Sequence, residues 1–598
     1  SRPFLKFLQS EKEGHTVFRQ SCISLAGVNG AGVIGAGVLQ GARRRHMLTL
    51  GLAILLSAFS SHQPALATQW FVNPGGTGQF PTIQAALSSP SVVDGDVILL
   101  ADGIYGGAGN YNIDFLGKDV TVRGGNINDP DNVTILCGGS PGSPRRGFIF
   151  NNGETANAVL MALSVQEGYV EGEDGGGIWI GAASPTIDYV HVRWSQARDG
   201  NGGGIACLGP GSPTILRTGI FDNVAGGDAG GLGGGIYAVG SAATQITLTS
   251  AWRNQAVTTN FGIGGHGGGI YCEGGILSDV TVAQNMAYGS GGGLYTIGAT
   301  VSNTNSFENE ALVEGGGAYA SAATLAGCWI SANRSPIAGG IKLSQASMIG
   351  CGVTGNVALG GPGGGVDGSS GSLLQNCTVS GNRSSTGGGF SGSDTFLERT
   401  IIWGNCATGP GAEISAGPGV VLVCCCSSLA GISGNVAIQG PLAEGSPRYC
   451  GTFDCWQAPV AFGNYFLDPL SSCLPAGNSC GQLIGALGQG CGVTTDVVEQ
   501  DAGWNEEDDL RVSSPVRGAA EVTFRLMEPA RARVSVMDAS GRMVARVLNA
   551  DLGDGQHQVI WSGRDEHGVP SPPGVYFVRL EAGRLAAARK VILLGDSR

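Results

Sequence analysis

Residues 267–295 run Gly267-Gly268-Gly269-Ile270-Tyr271, then CEGGILSDVTVAQNMAYGS, then Gly291-Gly292-Gly293-Leu294-Tyr295. A glycine triplet backed by an apolar residue thus returns after 24 residues. The same mark stands at Gly175, Gly202, Gly233, Gly267, Gly291, Gly315, Gly339, Gly363 and Gly387. Its steps are 27, 31 and 34, then 24 five times, and one more step of 24 lands on Gly411. Such a period is too short for paired-helix repeats. It fits one coil of a β-solenoid, with short strands joined by tight turns. Glycine takes positive φ at no steric cost and lets backbones approach closely. Stacked glycine corners would therefore turn every coil at the same place.

A second mark is phased to the first. Asn285, Asn309, Asn333, Asn356, Asn382 and Asn405 each lie 5 to 7 residues before the next glycine cluster. Asn tolerates left-handed backbone and caps turns. Three residues before each Asn stand Val282, Ser306, Ile330, Val353, Val379 and Ile402. Five before stand Val280, Thr304, Cys328, Cys351, Cys377 and Thr400. Residues two apart share a strand face, so both columns are expected to point inward. Stacking places Cys328, Cys351 and Cys377 above one another. They read either as reactive or metal-binding thiols or as small buried hydrophobes, and the second reading is the expectation.

Glycine makes up 106 of 598 residues, against a usual share of about 7%. It has no every-third-residue period, which excludes collagen. A helical bundle is excluded because a helix-interior Gly costs about 1 kcal/mol relative to Ala. The length predicts more than one domain. With 33 basic and 46 acidic residues, net −13, the basic footprint of a nucleic-acid binder is missing.

Arg43, Arg44 and Arg45 precede an apolar run, Leu48–Phe59, of signal-peptide length. Ala65-Leu66-Ala67 supplies a small-x-small site, so cleavage is expected between Ala67 and Thr68. Residues 43–67 therefore read as an export signal, with a membrane anchor as the alternative. Residues 1–46 fit poorly with such a signal, since 42 residues precede Arg43, and read as a dubious upstream extension. No later stretch reaches the ~20 apolar residues of a spanning helix, so no transmembrane span is expected in the mature chain. The expected location is extracellular or on the outer-membrane surface.

The 16 cysteines are unevenly spread. Cys450, Cys455, Cys473, Cys480 and Cys491 crowd a Gly/Pro/Ser-rich stretch and are expected to form structural disulfides. The run Cys424-Cys425-Cys426 offers a sixth partner. A zinc site competes, against irregular spacing and no nearby His.

The GGGIY pentapeptides at Gly233–Tyr237 and Gly267–Tyr271, with Phe221-Asp-Asn and Phe307-Glu-Asn-Glu, resemble repeats of chlamydial polymorphic outer-membrane proteins. Phe80-PTIQAAL, Gly95-DVILLADGIY and Ile113-DFLGKDVTVRGG resemble the opening of right-handed parallel β-helix proteins of the pectate-lyase-like type. The first of these reads physically as a short cap helix over an open solenoid end. The resemblance implies an all-β chain: a right-handed parallel β-helix (solenoid) over 68–493, of about 16 coils and about 75 Å.

Gly falls and charge rises after Val493, so 494–511 reads as an acidic linker. Short alternating strands from about Val512 predict a small C-terminal β-sandwich over 512–598. The stretches VSVMDASGRMVARVL, GQHQVIWSGRDEHG and PPGVYFVRL resemble the Ig-like domain of the flagellar hook-assembly scaffold and the sorting domain of type IX secretion substrates. That resemblance implies a partner in secretion or surface-anchoring machinery, with Arg542 and Tyr576 structural.

For catalysis on polysaccharide the fold class would offer paired carboxylates or a Lys or Arg base. Gly265-His266-Gly267 matches a fragment of one polygalacturonase motif without its companions, and Lys342 stands alone in the sequence. The best acidic cluster is Glu171, Glu173 and Asp174, with Asp199 and Asn201 one coil later and Asp228 after that. Stacked turns would converge these oxygens on one edge, a candidate Ca²⁺ site or else a solvated acidic face. Trp179, Trp194 and Trp252 are candidates for stacking on sugars or ordinary packing residues. The favoured reading is a non-enzymatic adhesin, glycan-binding or envelope structural protein needing no cofactor, with polysaccharide or a cell-surface ligand as partner. The alternative is a polysaccharide lyase or glycoside hydrolase.

Overall fold

One coil shows how the repeat becomes structure. Strands β1 (Leu294–Ile297), β2 (Thr300–Ser302), β3 (Asn305–Phe307) and β4 (Glu310–Ala311) follow one another around tight corners. Each pairs in parallel with its counterpart one coil on: Tyr295 with Tyr319, Val301 with Leu325, Ser306 with Ile330, Glu310 with Arg334. Repeated along the chain, this gives a right-handed parallel β-solenoid of about 14 turns. The β1, β2 and β3 faces belong to one 37-stranded sheet, and the β4 strips form a ten-stranded one. This computed structural model describes residues 67–490 and 510–594, apart from 128, 241–242, 260–263, 452–453, 461–462 and short turns of the C-terminal segment. The upstream extension, most of the export signal, nearly all of the linker, Arg542 and Cys491 lie outside the described residues.

Both predicted inward columns are buried; the Val282 column is in strand register, and the Val280 column stands at the corner just before each strand. The period needs one correction. The column Leu294, Ala318, Ile341, Val366 steps by 24, 23 and 25 residues, because Ala338, not Gly339, opens that coil's triplet. Ala338 holds the left-handed φ of +54° that Gly315 and Gly363 hold elsewhere at +67° and +72°. The other two glycines answer to space. A Cβ on Gly292 would collide with the Gly316 carbonyl, and one on Gly293 would stand 2.7 Å from Asn309 Nδ2.

The asparagine column is a continuous buried spine, two coils longer than expected: Asn223, Asn254, Asn285, Asn309, Asn333, Asn356, Asn382 and Asn405. These residues do not themselves turn left-handed. The residue before each does, for example Asp222, Arg253, Gln284 and Glu308. Each Asn instead satisfies its neighbours. Asn309 donates from its backbone N and from Nδ2 to Asn333 Oδ1, at 2.9 and 3.0 Å, and from Nδ2 to the Val282 carbonyl at 3.0 Å. In Phe307-Glu308-Asn309 the ladder residue is thus the third. The Cys column is likewise a donor column rather than a set of passive hydrophobes. The thiols of Cys328, Cys351, Cys377 and Cys425 and the hydroxyls of Thr218, Thr249 and Thr400 each donate to a carbonyl two residues back and one in the preceding coil. Burial pushes the Cys351 and Cys425 thiols up, that of Cys425 to about 12.

Helix α1 (Ile83–Ser88) caps the first coils as expected. Thr82 Oγ1 accepts from Ala85 N, and Ile83, Ala86 and Leu87 are buried. The coils end at Gln439, and residues 440–490 form a separate cap. In it Tyr449–Gly451 pairs antiparallel with Asn464–Leu467. Two of the expected disulfides reach outside the cap, one of them to the Cys424-Cys425-Cys426 run that offered a further partner. Cys455 is bonded to Cys406 and Cys480 to Cys424, so both bonds tie cap to solenoid. Cys450 is also disulfide-bonded, and Cys473 is a free thiol.

The C-terminal segment holds a three-stranded and a five-stranded sheet around Val522, Phe524, Val534, Val536, Trp561, Val578 and Leu580. The Tyr576 hydroxyl donates to the Pro572 carbonyl at 2.6 Å.

Candidate ligand-binding flank

The residue after each triplet's apolar residue points outward on the β1 face. In register this column reads Trp179, Ala206, Tyr237, Tyr271, Tyr295, Tyr319, Lys342, Asp367. Parallel strands lie about 4.8 Å apart, which is close to ring-stacking distance. The tyrosines therefore stack: Tyr237 to Tyr271 at 5.4 Å, Tyr271 to Tyr295 at 5.0 Å and Tyr295 to Tyr319 at 4.5 Å, the last two pairs within 5° of parallel. Tyr271 is buried and the other three are half-buried. Burial pushes the phenols of Tyr237 and Tyr295 up to about 12. They stay protonated near neutrality, as hydrogen-bond donors and acceptors. The Tyr271 hydroxyl donates to Glu273 Oε1 at 2.7 Å.

The two ends of the column are charged. At one end the Arg146 guanidinium lies over the Trp179 ring, 5.7 Å from its centroid, and pairs with Glu173. At the other, Lys342 Nζ donates to Asp367 Oδ1 at 2.6 Å. Lys342 is therefore not isolated: the register brings Asp367 to it from one coil on. Burial raises the Asp367 and Glu314 carboxyls, against the pull of Lys342. His266 stacks on Tyr295 at 4.9 Å. Its Nδ1 accepts from Ser290 N at 2.9 Å, and burial lowers its pKa. The ring is thus a neutral corner piece of the flank.

The predicted acidic site does not assemble. Glu173 is taken by Arg146, while Glu171 and Asp199 lie 3.6 Å from Arg198 Nε on either side. Asp174 Oδ1 accepts from Asn201 N and Nδ2, Asp199 Oδ1 from Ala229 N, and Asp228 Oδ1 from Thr259 Oγ1. Two guanidinium groups among these oxygens oppose a Ca²⁺ shell. Among the described residues, the one group with ligand atoms within 4.8 Å of one another is Cys406, Asp454 and Cys455, and its two sulfurs are already in a disulfide. The tryptophans separate too. Trp179 is on the flank and Trp194 is exposed at a corner under Arg193. Trp252 is buried on the β3 face, its Nε1 donating to Gln284. At the expected cleavage point, Thr68 N donates to Asp96 Oδ1 at 2.8 Å.

Sequence reasoning missed the tyrosine column, although the repeated Tyr of GGGIY and GGGLY was its signal. It also missed Glu413. There the triplet reads Gly411-Ala412-Glu413, and the Glu413 side chain ends the asparagine spine. Oε2 accepts from Asn405 Nδ2 at 2.7 Å and Oε1 from Gly404 N at 2.9 Å.

The C-terminal strands settle a separate question. Residues 511–585 match the FlgD Ig-like domain. The FlgD Ig-like match covers most of the expected sandwich. For the whole chain, two solved structures are similar at low identity. The pectate lyase Pel9A crystal structure is 13% identical, with 71% of this chain and 98% of that one covered and a TM-score of 0.31. The Siphovirus 9NA tailspike receptor binding domain is 10% identical, with 88% and 98% covered and a TM-score of 0.20. No curated protein matches the chain.

Proposed function

We propose that this chain is an exported surface protein that holds polysaccharide along the β1 flank, with the FlgD Ig-like segment serving secretion or anchoring. The observation that carries this reading is the tyrosine column between two charged ends. Stacked rings present their edges and hydroxyls outward at each coil, a repeat of about 4.8 Å. A polymer of hydroxyl-bearing rings matches such a row of donors and acceptors, while the aromatic edges supply apolar contact. The charged ends favour a glycan that bears both hydroxyl and ionised groups. Affinity electrophoresis of residues 68–598 through gels holding acidic or neutral polysaccharides tests it. At least one polysaccharide is expected to retard the protein with EDTA present. Tyr295→Ala with Tyr319→Ala is expected to weaken retention about tenfold or more, while Tyr189→Ala outside the column leaves it unchanged. Equal retention of both variants, or none by any polysaccharide, overturns the reading.

One observation favours the enzymatic alternative: Glu314, Lys342 and Asp367 gather at one end of the column, with both carboxyls raised by burial. Acid and base groups in a glycan groove are what a lyase or hydrolase needs. New reducing ends or unsaturated-sugar absorbance that vanish in Lys342→Ala would replace the binding reading with this one.

A further inference from the structure

The three consecutive cysteines Cys424, Cys425 and Cys426 meet three different fates. Cys424 is cross-linked to Cys480 of the cap. Cys425 enters the donor column inside the solenoid and gives its thiol to the Leu397 and Val423 carbonyls. Cys426 faces the seam between the last coils and the cap. There it is fully buried in an apolar cluster with Ile401, Leu467, Cys473 and Ile484. Its thiol donates to the Gly445 carbonyl at 3.5 Å and lies beside the Cys473 thiol in the same cluster.

Cys473 is held in place by backbone contacts on both sides. Its N–H donates to Ser471 Oγ at 3.1 Å, and its carbonyl accepts from Ile484 N at 2.9 Å. The strand end that bears Cys426 is fixed as well, since Cys426 N donates to the Thr400 carbonyl and Ser427 N to the Ala443 carbonyl. Two thiols therefore face each other from two ordered backbones in an apolar cluster. Two existing cross-links, Cys406–Cys455 and Cys424–Cys480, span the same seam. The donor-column cysteines differ, because each of their thiols is committed to two carbonyls of the solenoid interior, whereas the Cys426 thiol reaches only the Gly445 carbonyl, at 3.5 Å.

We propose that Cys426 and Cys473 are a further disulfide site, which closes a bond across the coil–cap seam, nested inside the Cys424–Cys480 loop. The co-reactant is a small-molecule or protein disulfide. A Cys473 thiolate attacks one sulfur of that disulfide, forming a mixed disulfide and expelling one thiolate. The Cys426 thiolate then attacks Cys473 Sγ, expelling the second thiolate and leaving the protein disulfide. Two protein thiols lose two electrons, one external disulfide gains them, and the two protons pass to the two released thiols. Both sulfurs are covered in the folded chain, so exchange takes place as the cap docks.

The test needs no assumption about export, because the oxidant is supplied in the tube. The full chain is reduced in denaturant, refolded with oxidised and reduced glutathione, alkylated with N-ethylmaleimide in denaturant and mapped by mass spectrometry. The expected result is a peptide pair linked through Cys426 and Cys473, with neither thiol alkylated, whereas both are alkylated after refolding in reductant alone. A Cys424→Ser/Cys480→Ser background simplifies the map, since Cys424 shares a peptide with Cys426. If that background does not fold, partial reduction of the wild-type digest yields the same linkage. In Cys473→Ser, Cys426 is expected to become alkylated while Cys406–Cys455 stays linked. Alkylation of both Cys426 and Cys473 in the oxidised wild type overturns the proposal, whatever the state of the other bonds.

Discussion

Glu413 occupies a place where every other described coil of the spine carries glycine. In those coils the third glycine lies so close to the following Asn that a Cβ would meet its Nδ2; at Gly389 the separation would be 2.7 Å. Beyond Asn405 no further spine Asn follows, so room opens and a longer side chain turns in to meet the last amide. Burial lifts the Glu413 carboxyl to about 7, against the three N–H donors that it faces. The folded chain therefore holds a proton there that the unfolded chain, with an ordinary value of 4.5, has released. This contribution is complete below the unfolded value and is lost as pH rises through about 7. Denaturant titrations are expected to show stability falling by up to roughly 3 kcal/mol between acid and neutral pH. Glu413→Gln should remove that slope, and an unchanged slope would contradict the assignment. Nothing in the sequence marked this residue, because Gly-Ala-Glu-Ile reads as a worn copy of the triplet.

The coil is the scale at which the sequence was most legible. Short strands, glycine corners and inward columns all follow from spacing, because a solenoid puts residues one period apart directly over each other. What misled was the assumption that one residue type marks one position. Ala338 takes the left-handed place of a glycine, and Gly339 then shifts the apparent register by one. The three triplet positions are also unequal in ways that spacing does not show. Gly292→Ala is expected to cost several kcal/mol, since the new methyl meets the backbone of the next coil, where no rotamer relieves it. Ala338→Gly is expected to be neutral or to gain up to about 1 kcal/mol, as relief of positive φ offsets glycine's greater freedom in the unfolded chain. Urea midpoints of the two variants measure both, and similar midpoints would refute the positional reading. The candidate flank was only half legible. Its tyrosines lay in the repeat, but pairing Lys342 with Asp367 needs the 25-residue step between their strands.

For the molecule as a whole, cysteine spacing located the cap but not its bonds. Partners 49 and 56 residues apart in sequence, from two kinds of structure, cannot be matched by local pattern. These bonds hold an irregular segment whose own sheet is a single short antiparallel pair, while the coils are held by continuous parallel pairing. Limited proteolysis with and without reductant is expected to separate the two. With disulfides intact, cleavage within 440–490 should be slow. With reductant the first cuts should fall there, while the coils from 170 to 420 survive. First cuts within the coils would reverse this order of stability.

The asparagine spine also has a direction. Every Asn-to-Asn bond in it runs the same way, from the donor N–H groups of one coil to the Oδ1 of the next coil toward the C-terminus. The amide dipoles therefore add along the solenoid axis, and the unsatisfied pair of N–H groups is always carried by the coil most recently made. A coil added at the C-terminal end quenches the polarity that its predecessor left open and exposes the same polarity again. A solenoid growing in this way is a templated one-way polymerisation within a single chain. Glu413 acts as its terminator: it accepts the last N–H groups and offers no amide of its own for another coil to receive.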